Sequence, residues 1–553
     1  MSLFRSRLSE VNQQDIQRWC FVAYDQLHLD LGPWGDRGRD GMSRAHVGLI
    51  LIETPWKAAR RPYHKQKLAL LLTNLRHFAL EAQAAGHPVV VLHGSGSYGE
   101  QLSAWREDIP RIHGMIPAER ELRVDLQPLA DSGRLQLHPH DGWLTNASEF
   151  HEAVGETPPW RADAFYRSVR KARRILTDAD GRPAGGKWSF DAENRAPWKG
   201  SPPLPATPVF PVDALTEEVI ALVEARFTDH PGQIDRETLP ATLQDAEAQW
   251  DWAIRTCMHE FGTYEDAMTS THRSLFHTRI SALLNMHRLL PARVLSDAIE
   301  ADIPLNSKEG FIRQVLGWRE FVHHVHVRTD GFRNLDLRTT LAPSGDGGWS
   351  RIQGKGTPRP SEPSPNHLNA IEPLPVAYWK GGSGMLCLDD AVTSVIEEGY
   401  THHIPRLMVL ANLATLLGID PRETTDWFWS MFTDAYDWVV EPNVLAMGTY
   451  AVGGVMTTKP YVSGTPYLHK MGDHCAKCAL HPKRTCPISD LYWDFLHRHQ
   501  DEFKDNPRMF MPMRSLAKRS EERIVRSSAV RDHVLERLRA GAPVTPLDQG
   551  TLG

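Results

Sequence analysis

Cysteine is scarce in this sequence, and long apolar runs are absent. Six cysteines occur among 553 residues. No stretch of eighteen consecutive apolar residues is present, so we expect no membrane-spanning helix. The first residues, MSLFRSRLSEVNQQD, lack the apolar core of a secretory signal, so we expect a cytoplasmic protein. In that compartment, the few cysteines indicate metal or redox chemistry and not a disulfide framework.

A large positive charge is also missing. The chain has 62 Lys and Arg against 68 Asp and Glu, a formal net charge of −6. This balance argues against nucleic-acid binding over the whole surface, although a local basic patch is enough to bind nucleic acid. Basic residues cluster at 56–77 and at 161–174, and either cluster is a solvated surface or the wall of a DNA groove.

Three short apolar stretches predict buried strands, namely RWCFVAY (18–24), VGLILIE (47–53) and HPVVVLH (87–93). A helix is predicted between the last two, from about Lys65 to Ala85, because its leucines recur at helical spacing. Strands that alternate with helices indicate a parallel sheet with right-handed crossovers. The fold class predicted for the N-terminal region is therefore α/β and Rossmann-like.

The rest of the chain has a different pattern. Residues 196–211 are proline-rich and indicate an extended connection. From about residue 213 the periodicity is helical, with a Gly-, Pro- and Ser-rich break at 343–375. We predict an α/β domain over 1–150, a linker over 151–212, a large all-α domain over 213–525 and a C-terminal tail over 526–553.

A glycine-rich G-x-G-x-x-G match occupies residues 94–99. Such a loop can bring backbone amides to a pyrophosphate at a helix N-terminus. It follows a later strand of the domain, and no acidic strand end follows at the usual distance. We therefore interpret it as a surface turn.

The cysteine spacing is more informative. Cys475, Cys478 and Cys486, the last followed by a proline, lie in the polar loop HKMGDHCAKCALHPKRTCPISD. Such a loop has little reason to bury thiols as apolar groups, so metal binding is favoured. Zinc could add His474 or His481, whereas an iron–sulfur cluster needs a fourth thiolate, for which Cys387 is the candidate. Spacing alone leaves both metals open.

His402 and His403 stand in tandem at the start of a helical stretch, THHIPRLMVLANLATLL. Histidine titrates near neutral pH, so the pair suits proton transfer, although helix capping explains such pairs equally simply. Helix N-termini disfavour a charged imidazole. A proton donor here therefore needs a nearby acid or a substrate that keeps one histidine protonated.

Several long motifs resemble one family. FGTYEDAM (261–268), LFHTRISALLN (275–285) and EGFIRQVLGWREF (309–321) resemble the flavin-binding core of the photolyase/cryptochrome superfamily. GGKWSFDAENR (185–195), YWKGGSGMLCLDD (378–390) and the cysteine loop are similar to its bacterial iron–sulfur branch. The resemblance implies FAD in the all-α domain and a 4Fe–4S cluster on Cys387, Cys475, Cys478 and Cys486.

The resemblance also implies which residues bind or use these groups. The expected FAD-binding residues are Tyr264, His277, Thr278, Ser281, Arg319, Glu320, Asp434, Asp437 and Asn443. The residues expected against a DNA lesion are His402, His403, Met447, Tyr461 and Tyr467. Trp427 and Trp379 match the family's electron relay, and Phe428 stands where relatives carry a tyrosine. An antenna, 6,7-dimethyl-8-ribityllumazine, is expected near Asp25, Gln26, Glu53, His64 and Lys67.

The implied activity is light-driven repair of UV-damaged DNA. The family resemblance predicts a (6-4) photolyase, a carbon–carbon lyase in which a histidine supplies a proton to the lesion. The expected partner is DNA with the damaged dinucleotide flipped out of the duplex, and the chain should act as a monomer. The alternative is a cryptochrome-like blue-light photoreceptor without repair activity, which would not need the lesion pocket.

Overall fold

The N-terminal region is built on a five-stranded, all-parallel sheet. The computed structural model describes residues 2–11, 13–106, 108–343, 345–356 and 360–546. The strands follow the spatial order β3-β2-β1-β4-β5. Their bounds are β1 Arg18–Phe21, β2 Val47–Glu53, β3 Val89–His93, β4 Ile112–Met115 and β5 Leu135–His138. The predicted α/β region with a parallel sheet is confirmed.

Local chemistry explains these strands. Strand β2 is buried along nearly its whole length, as expected for a central strand covered on both faces. Cys20 of β1 pairs with Leu49 on one side and with His113 on the other. The strand order reverses between β1 and β4, so a crevice opens at their carboxyl ends. Tyr24 follows β1 into this crevice, where its hydroxyl donates to Glu119 from the loop after β4.

Short helices and one long helix surround the sheet. The predicted helix is α3, which begins at Lys65 and ends at Ala84. The helices up to residue 173 are α1 Leu3–Arg7, α2 Trp56–Arg60, α3 Lys65–Ala84, α4 Tyr98–Ala104, α5 Arg120–Asp131, α6 Ala147–Val154 and α7 Ala162–Arg173. The glycine-rich stretch is the turn before α4, where Ser97 caps the helix with Glu100 in a capping box.

The second region is predominantly helical. Its α-helices are α8 Ala214–Arg226, α9 Leu243–Thr256, α10 Met258–Phe261, α11 Ser281–Asn285, α12 Pro291–Glu300, α13 Leu305–Ile312, α14 Glu320–Thr329, α15 Trp349–Ile352, α16 Ala377–Lys380, α17 Leu386–Glu398, α18 Asn412–Leu417, α19 Pro421–Met431, α20 Asp437–Val440, α21 Thr465–Met471, α22 His474–Lys477, α23 Ile488–Arg498, α24 Gln500–Phe503, α25 Phe510–Leu516 and α26 Glu521–Arg539.

Three π-helical segments interrupt this region. They are Arg313–Arg319, Pro405–Ala411 and Glu441–Gly448. The first contains Arg319, the second begins two residues after His403, and the third contains Asn443 and Met447. A π-segment widens one helical turn and re-aims the side chains around it, and such segments are frequent at functional sites. The short 3₁₀ helices are Gln13–Asp15, Gly32–Trp34, Arg44–His46, Ala184–Gly186, Asp191–Glu193, Gly453–Val455 and Pro507–Met509.

The structure differs from the predicted organisation in three places. The predicted break at 343–375 contributes to an antiparallel pair, β6 Thr339–Pro343 with β7 Pro360–Pro365, in a domain for which no strand was predicted. The predicted linker contains α7, whose Phe165 and Tyr166 are buried in the main core. The predicted tail begins inside α26, which packs on α23 and buries Val534 and Leu538.

Over the part of the chain that the structure describes, no helix is both long and apolar enough to cross a membrane.

Candidate active site and cofactor sites

Three histidines form a compact cluster at the start of the π-segment Pro405–Ala411. The rings of His277 and His402 are stacked, with centroids 4.3 Å apart and planes 15° apart. The ring of His403 lies 5.2 Å from His277 and 6.0 Å from His402. His402 is buried at 3% exposure, whereas the His403 side chain is 44% exposed. The site therefore has a buried pair of imidazoles and one that faces outward.

The two buried imidazoles are neutral near neutral pH. Burial lowers the pKa of His402 well below its usual value, and the neighbouring His277 and His403 lower it further. Burial likewise lowers the pKa of His277, again with a contribution from His403. Neither Nε2 of His277 nor Nδ1 of His402 has a hydrogen-bond partner. The exposed His403 is therefore the imidazole placed to exchange protons with a ligand.

An acid stands next to His403. Its Nε2 lies 3.6 Å from Oδ1 of Asp266. The hydroxyl of Tyr467 donates to the other carboxylate oxygen at 3.4 Å. Asp266 belongs to the FGTYEDAM stretch but was not identified from the sequence. The carboxylate connects two of the predicted lesion-facing residues and supplies the acid that a proton donor at a helix start requires.

Tyr461 and several arginines surround this mouth. Tyr461 is 41% exposed. Burial and then Asp191 raise the pKa of Tyr461, while the nearby Arg508, Arg195 and Arg161 act in the opposite direction. Burial and then Asp266 likewise raise the pKa of Tyr467. Met447, the remaining predicted lesion-side residue, is half-buried. Arg195 and Arg508 are exposed at this mouth, where Asp191 pairs with Arg195. Exposed arginines can contact a polyanionic ligand.

The predicted flavin residue Ser281 belongs to a buried polar group around Asp434. Arg406 binds the carboxylate of Asp434 with both terminal nitrogens, at 2.9 and 3.0 Å, and the Ser281 hydroxyl donates to it at 2.6 Å. Asn285 donates to the Asp434 backbone carbonyl at 2.8 Å. Burial raises the pKa of Asp434, but Arg406 and Ser281 outweigh it and hold that pKa below the usual value. Arg406 and Asn285 were not identified from the sequence.

Arg319 and Glu320 form a second buried group where a π-segment passes into α14. Arg319 donates to Glu320 at 3.1 Å, and its guanidinium lies 4.1 Å from the Trp143 ring. Glu320 also accepts from the backbone nitrogen and the hydroxyl of Thr145, each at 2.8 Å. The Nε of Arg319 is buried without a partner. Burial lowers the pKa of Arg319 to about 10.

The other predicted flavin residues lie in separate surroundings. Asp437 accepts from the Glu121 backbone nitrogen at 3.1 Å, and burial raises its pKa to about 6. Asn443 accepts from the Trp318 indole at 2.6 Å. Thr278 is buried next to His277, and the half-buried Tyr264 donates to the Ser201 carbonyl at 3.2 Å. The structure thus joins His277 to the histidine cluster and distributes the other predicted flavin residues over several groups.

The two predicted relay tryptophans are close together. The centroids of Trp427 and Trp379 are 6.4 Å apart, and both rings are buried. Trp379 donates to the Gly347 carbonyl at 3.1 Å. A third ring, that of Trp349, lies 4.8 Å from Trp379 and is partly exposed. The sequence analysis missed Trp349 because it lies in a glycine-rich break that has no helical periodicity.

The four predicted metal-binding thiols converge from three chain segments. Cys387 lies in the first turn of α17, Cys475 lies within α22, Cys478 caps the C-terminal end of α22, and Cys486 precedes α23. Burial raises the pKa of Cys387, and the three other thiols raise it further, which shows that all four are neighbours. His474, a candidate zinc ligand, instead contacts Asp390 at 2.9 Å.

The distances between these thiols indicate which metal centre they could bind. Among the described residues, no three of the four sulfur atoms lie within 4.8 Å of one another; the histidine cluster is the group that meets this limit. Tetrahedral zinc with Zn–S bonds of about 2.3 Å needs sulfur atoms about 3.8 Å apart. The thiols as they stand are therefore spaced too widely for a single zinc ion.

A cavity of about 500 Å³ opens between the sheet and α3. Two of the predicted antenna residues, Glu53 and Lys67, line this cavity. The polar and aromatic lining includes Tyr24, Glu53, Lys57, Tyr63, Lys67, Arg76, Tyr98 and Tyr436, and the apolar lining includes Leu68, Leu71, Leu72, Leu75 and Val223. Burial lowers the pKa of Lys67 to about 7.

The other predicted antenna residues do not line this cavity. His64 caps α3 and contacts the Ile396 carbonyl at 2.9 Å. Gln26 reaches the Met115 carbonyl at 3.5 Å. Both carboxylate oxygens of Asp25 are buried without a partner, and burial together with Glu119 raises the pKa of Asp25 to about 7. Asp25 and Gln26 therefore lie at the crevice between β1 and β4.

The two basic clusters have different surroundings. In the first, Arg61, Lys67 and Arg76 are buried, and Arg61 pairs with Asp426 at 3.1 Å. These three residues make internal contacts, whereas Arg60 of the same cluster is exposed. In the second, Arg167 and Lys171 are exposed on α7. The second cluster alone keeps the character of a basic face.

Comparison with known proteins agrees with this architecture. Residues 20–239 match the family described as "Deoxyribodipyrimidine photo-lyase-related protein". The chain is 32% identical over 501 residues to a (6-4) photolyase of Agrobacterium fabrum, a match that covers 87% of this chain and 93% of that protein. An uncharacterized protein of Acanthamoeba polyphaga mimivirus is 30% identical over 115 residues, which is 21% of this chain and 90% of that protein.

Solved structures share the fold. A bacterial class III photolyase from Agrobacterium tumefaciens superposes with a TM-score of 0.53 at 15% identity, covering 98% of this chain and 97% of that one. A cryptochrome from Synechocystis sp. PCC6803 gives 0.51 at 13% identity, covering 95% and 100%. The parallel sheet followed by a helical region is the architecture of these proteins. By its similarity along most of both chains to a photolyase, this chain belongs to the photolyase-related family.

Proposed function

We propose that this chain is a light-dependent (6-4) photolyase that repairs UV-damaged DNA with bound FAD. The observation that carries the proposal is the pairing of the exposed His403 with Asp266, 3.6 Å away, above the buried His402. The (6-4) photolyase of Agrobacterium fabrum, which is similar over most of its length, supports the same lesion class.

Repair of a (6-4) product requires a proton donor because an oxygen must move from one base back to the other. His403 is placed to donate this proton, and its Nε2 lies 3.6 Å from Oδ1 of Asp266. The Tyr467 hydroxyl fixes the carboxylate from the other side. His402 stays neutral and packs on His277, which holds the tandem pair in place. Acid catalysis of this kind contributes a factor of about 10²–10⁴.

FAD fits the buried polar atoms of the helical region. Nε of Arg319 and Nε2 of His277 are buried without partners, and each such atom costs about 1–3 kcal/mol unless it is satisfied. Both belong to residues expected at the flavin. Ser281, Thr278, Tyr264, Asp434, Asp437, Asn443 and Glu320 complete the proposed binding set. When bound and reduced, FAD supplies the light-excited electron for repair and recovers it afterwards.

A 4Fe–4S cluster fits the four thiols better than zinc does. Their sulfur spacing exceeds what one zinc ion needs. Cys387 lies in the first turn of α17, and Cys486 lies two residues before α23. Iron–sulfur clusters are held by four cysteines of this kind. The proposed role is structural, because the ligands join helices from distant parts of the chain.

The cavity beside α3 is proposed to hold the antenna, 6,7-dimethyl-8-ribityllumazine. Its volume of about 500 Å³ is typical of small-molecule sites. Leucines supply an apolar wall, and the side chains of Glu53, Lys67 and Arg76 supply hydrogen-bonding groups for a heteroaromatic ring and a ribityl chain. Glu53 and Arg76 are already paired at 2.7 Å, which orients both.

Damaged DNA is proposed to dock over the mouth that contains Tyr461. The lesion must leave the duplex to reach His403, and Arg161, Arg195 and Arg508 would hold the flanking phosphates. We propose that the chain works as a cytoplasmic monomer.

The direct test is a blue-light repair assay on oligonucleotides that carry one (6-4) product or one cyclobutane dimer. Protein purified in dim light and reduced beforehand should restore the (6-4) oligonucleotide and leave the dimer. Repair of the dimer alone would assign a different lesion. Light-dependent flavin changes without repair of either oligonucleotide would instead make the chain a photoreceptor.

A further inference from the structure

We propose that Phe510 and Met511, which stand side by side at the start of α25, insert into damaged DNA and fill the space that a flipped-out dinucleotide leaves. Phe510 is 60% exposed and Met511 is 64% exposed. Proteins that open or kink a duplex frequently place phenylalanine or methionine between its bases. The role rests on the proposed function, because it requires damaged DNA to dock at the mouth that contains Tyr461.

The packing of α25 does not use these two side chains. The inner side of this region is held by Met509, directly before the helix, and by Leu516 at its end. Both are buried in the core of the helical region, at 2% and 5% exposure. A surface helix ordinarily turns its large apolar side chains inward. Two adjacent ones that face outward therefore indicate a surface that contacts another molecule.

The segment before α25 is attached to the mouth. The Asn506 side chain donates to the Thr458 carbonyl at 3.0 Å and accepts from the backbone nitrogen of Arg508 at 2.9 Å. Thr458 lies three residues before Tyr461. Burial and then Asp191 raise the pKa of Tyr461, and Arg508 is close enough to act in the opposite direction. The exposed apolar pair therefore begins two residues after an arginine of the mouth.

The charge around the pair fits a nucleic acid. Residues 504–519 contain five basic residues and one acidic residue. Arg514 and Lys518 are exposed, and Arg514 follows Phe510 by four residues, so the two side chains share a helix face. Every base step of a duplex is flanked by phosphates. An apolar pair set among cations is therefore complementary to DNA and not to an uncharged protein surface.

Insertion would act on binding and not on the photochemical step. Flipping a dinucleotide unstacks its neighbours and leaves the opposite bases unpaired. An aromatic ring in the vacated space stacks on these bases, and the flexible thioether of Met511 fills the irregular remainder. The pair thus lowers the free-energy cost of flipping, whereas the proton transfer at His403 does not involve it.

The test is a binding titration in the dark with two duplexes of one sequence, one intact and one with two adjacent abasic sites in one strand. The abasic duplex offers the space without a lesion, so wild-type protein should bind it more tightly than the intact duplex. Phe510→Ala/Met511→Ala should weaken binding to the abasic duplex by about fivefold or more, the effect of losing one stacked base. Phe510→Trp should keep the preference, because its ring also stacks.

The control is Val124→Ala, at a position 54% exposed on α5 of the sheet domain. This variant should bind both duplexes as wild type does. Equal flavin and iron contents in all variants check that the fold is kept. Since Phe510 and Met511 are exposed, we expect their replacement to leave these contents unchanged.

A second measurement reports insertion directly. The fluorescence of 2-aminopurine, placed opposite the abasic pair, depends on stacking and should change with wild-type protein but not with the double variant. Weak or equal binding of both duplexes by wild type, or an unchanged preference in the double variant, would overturn the role. So would a double variant that alters only self-association. Because neither measurement uses light, insertion without repair rejects only the proposed repair, and repair without insertion rejects only the role of this pair.

Discussion

Asp266 is the acidic residue next to the histidine pair. A histidine at a helix start is not easily protonated, and the sequence therefore required an acid without indicating which. Asp266 lies in a motif that was assigned to the flavin, far along the chain from His403. Only the fold brings its carboxylate within 3.6 Å of that imidazole. Single-residue roles of this kind depend on tertiary contact, which no local pattern encodes.

At the same scale, Trp349 is expected to end the electron relay at the surface. Its ring lies 4.8 Å from Trp379, and its indole donates to the Asp229 carbonyl at the protein surface. Trp349→Phe should slow flavin photoreduction as Trp427→Phe does, while repair by reduced protein stays nearly intact. The measurement is flavin absorbance under blue light with an external thiol.

Trp105→Phe is the control for this relay, because Trp105 packs on Trp19 in the sheet domain. If Trp349→Phe reduces at the wild-type rate while Trp379→Phe is slow, the electron enters by another aromatic. The ring centroid of Phe428 lies 5.1 Å from that of Trp427. Phe428 is too hard to oxidise to carry the electron, so the route would have to run through a different residue.

At the scale of elements, the four-thiol site joins α17, α22 and α23. We expect Cys387→Ser, Cys475→Ser, Cys478→Ser or Cys486→Ser to lose iron and the brown colour, and to lower the yield of soluble protein. The reason is that ligand bonds contribute folding free energy. Iron analysis and absorbance check the result. Cys20→Ser, in the buried strand β1, is the control. If Cys20→Ser loses iron and Cys387→Ser keeps it, the ligand assignment is wrong.

The antenna cavity is tested by filling it. Leu72 lines the cavity from α3. Leu72→Trp should exclude the antenna and remove its absorbance, while flavin and iron contents stay unchanged, because the larger ring occupies the apolar wall. Val124→Trp, at a position 54% exposed on α5, is the control. Unchanged antenna absorbance in Leu72→Trp would place the chromophore elsewhere, with the crevice at Asp25 as the next position to examine.

The elements that could be predicted from the sequence are those with long, regular apolar patterns. Strand β2 and helix α3 have long, regular apolar patterns and were predicted to within a few residues. Strands β4 and β5 are four residues each, IHGM and LQLH, too short for periodicity to identify. The proline-rich β7 has the composition of a loop. The π-segments do not follow the α-helical period, so the sequence pattern did not predict that they lie beside the functional motifs.

At the scale of the whole molecule, the N-terminal domain is anchored in the helical region beside the proposed antenna cavity. Lys67 donates to the Trp429 carbonyl at 2.9 Å and also to that of Ala435. Arg61 pairs with Asp426. The sequence predicted the two regions and most of the proposed ligand residues through resemblance. It did not predict that Arg61, Lys67 and Arg76 of the first basic cluster make internal contacts, because charge clusters look alike whether buried or exposed.

The arginines at the mouth are the proposed contacts to the DNA phosphates. Arg508→Ala should weaken binding to damaged and undamaged duplexes alike, because phosphate contacts carry no sequence information. The slope of log K against log salt should fall by about 0.9 for the lost contact. Binding titrations at several salt concentrations measure this. Arg111→Ala, an exposed change at the start of the sheet strand β4, should keep the wild-type slope. Equal slopes for both variants would place the DNA on another face.

The most direct test of the account is the yield of (6-4) repair per absorbed photon for His403→Ala. The variant should keep flavin, iron and DNA binding. His403 is half-exposed, and His277 is the proposed flavin-binding residue that its ring approaches. The repair yield should fall by a factor of about 10²–10⁴, which is the contribution of a general acid. The repair yield of Asp266→Asn should also fall. A His403→Ala yield within about twofold of wild type would contradict the proton-donor role, since acid catalysis contributes far more than that.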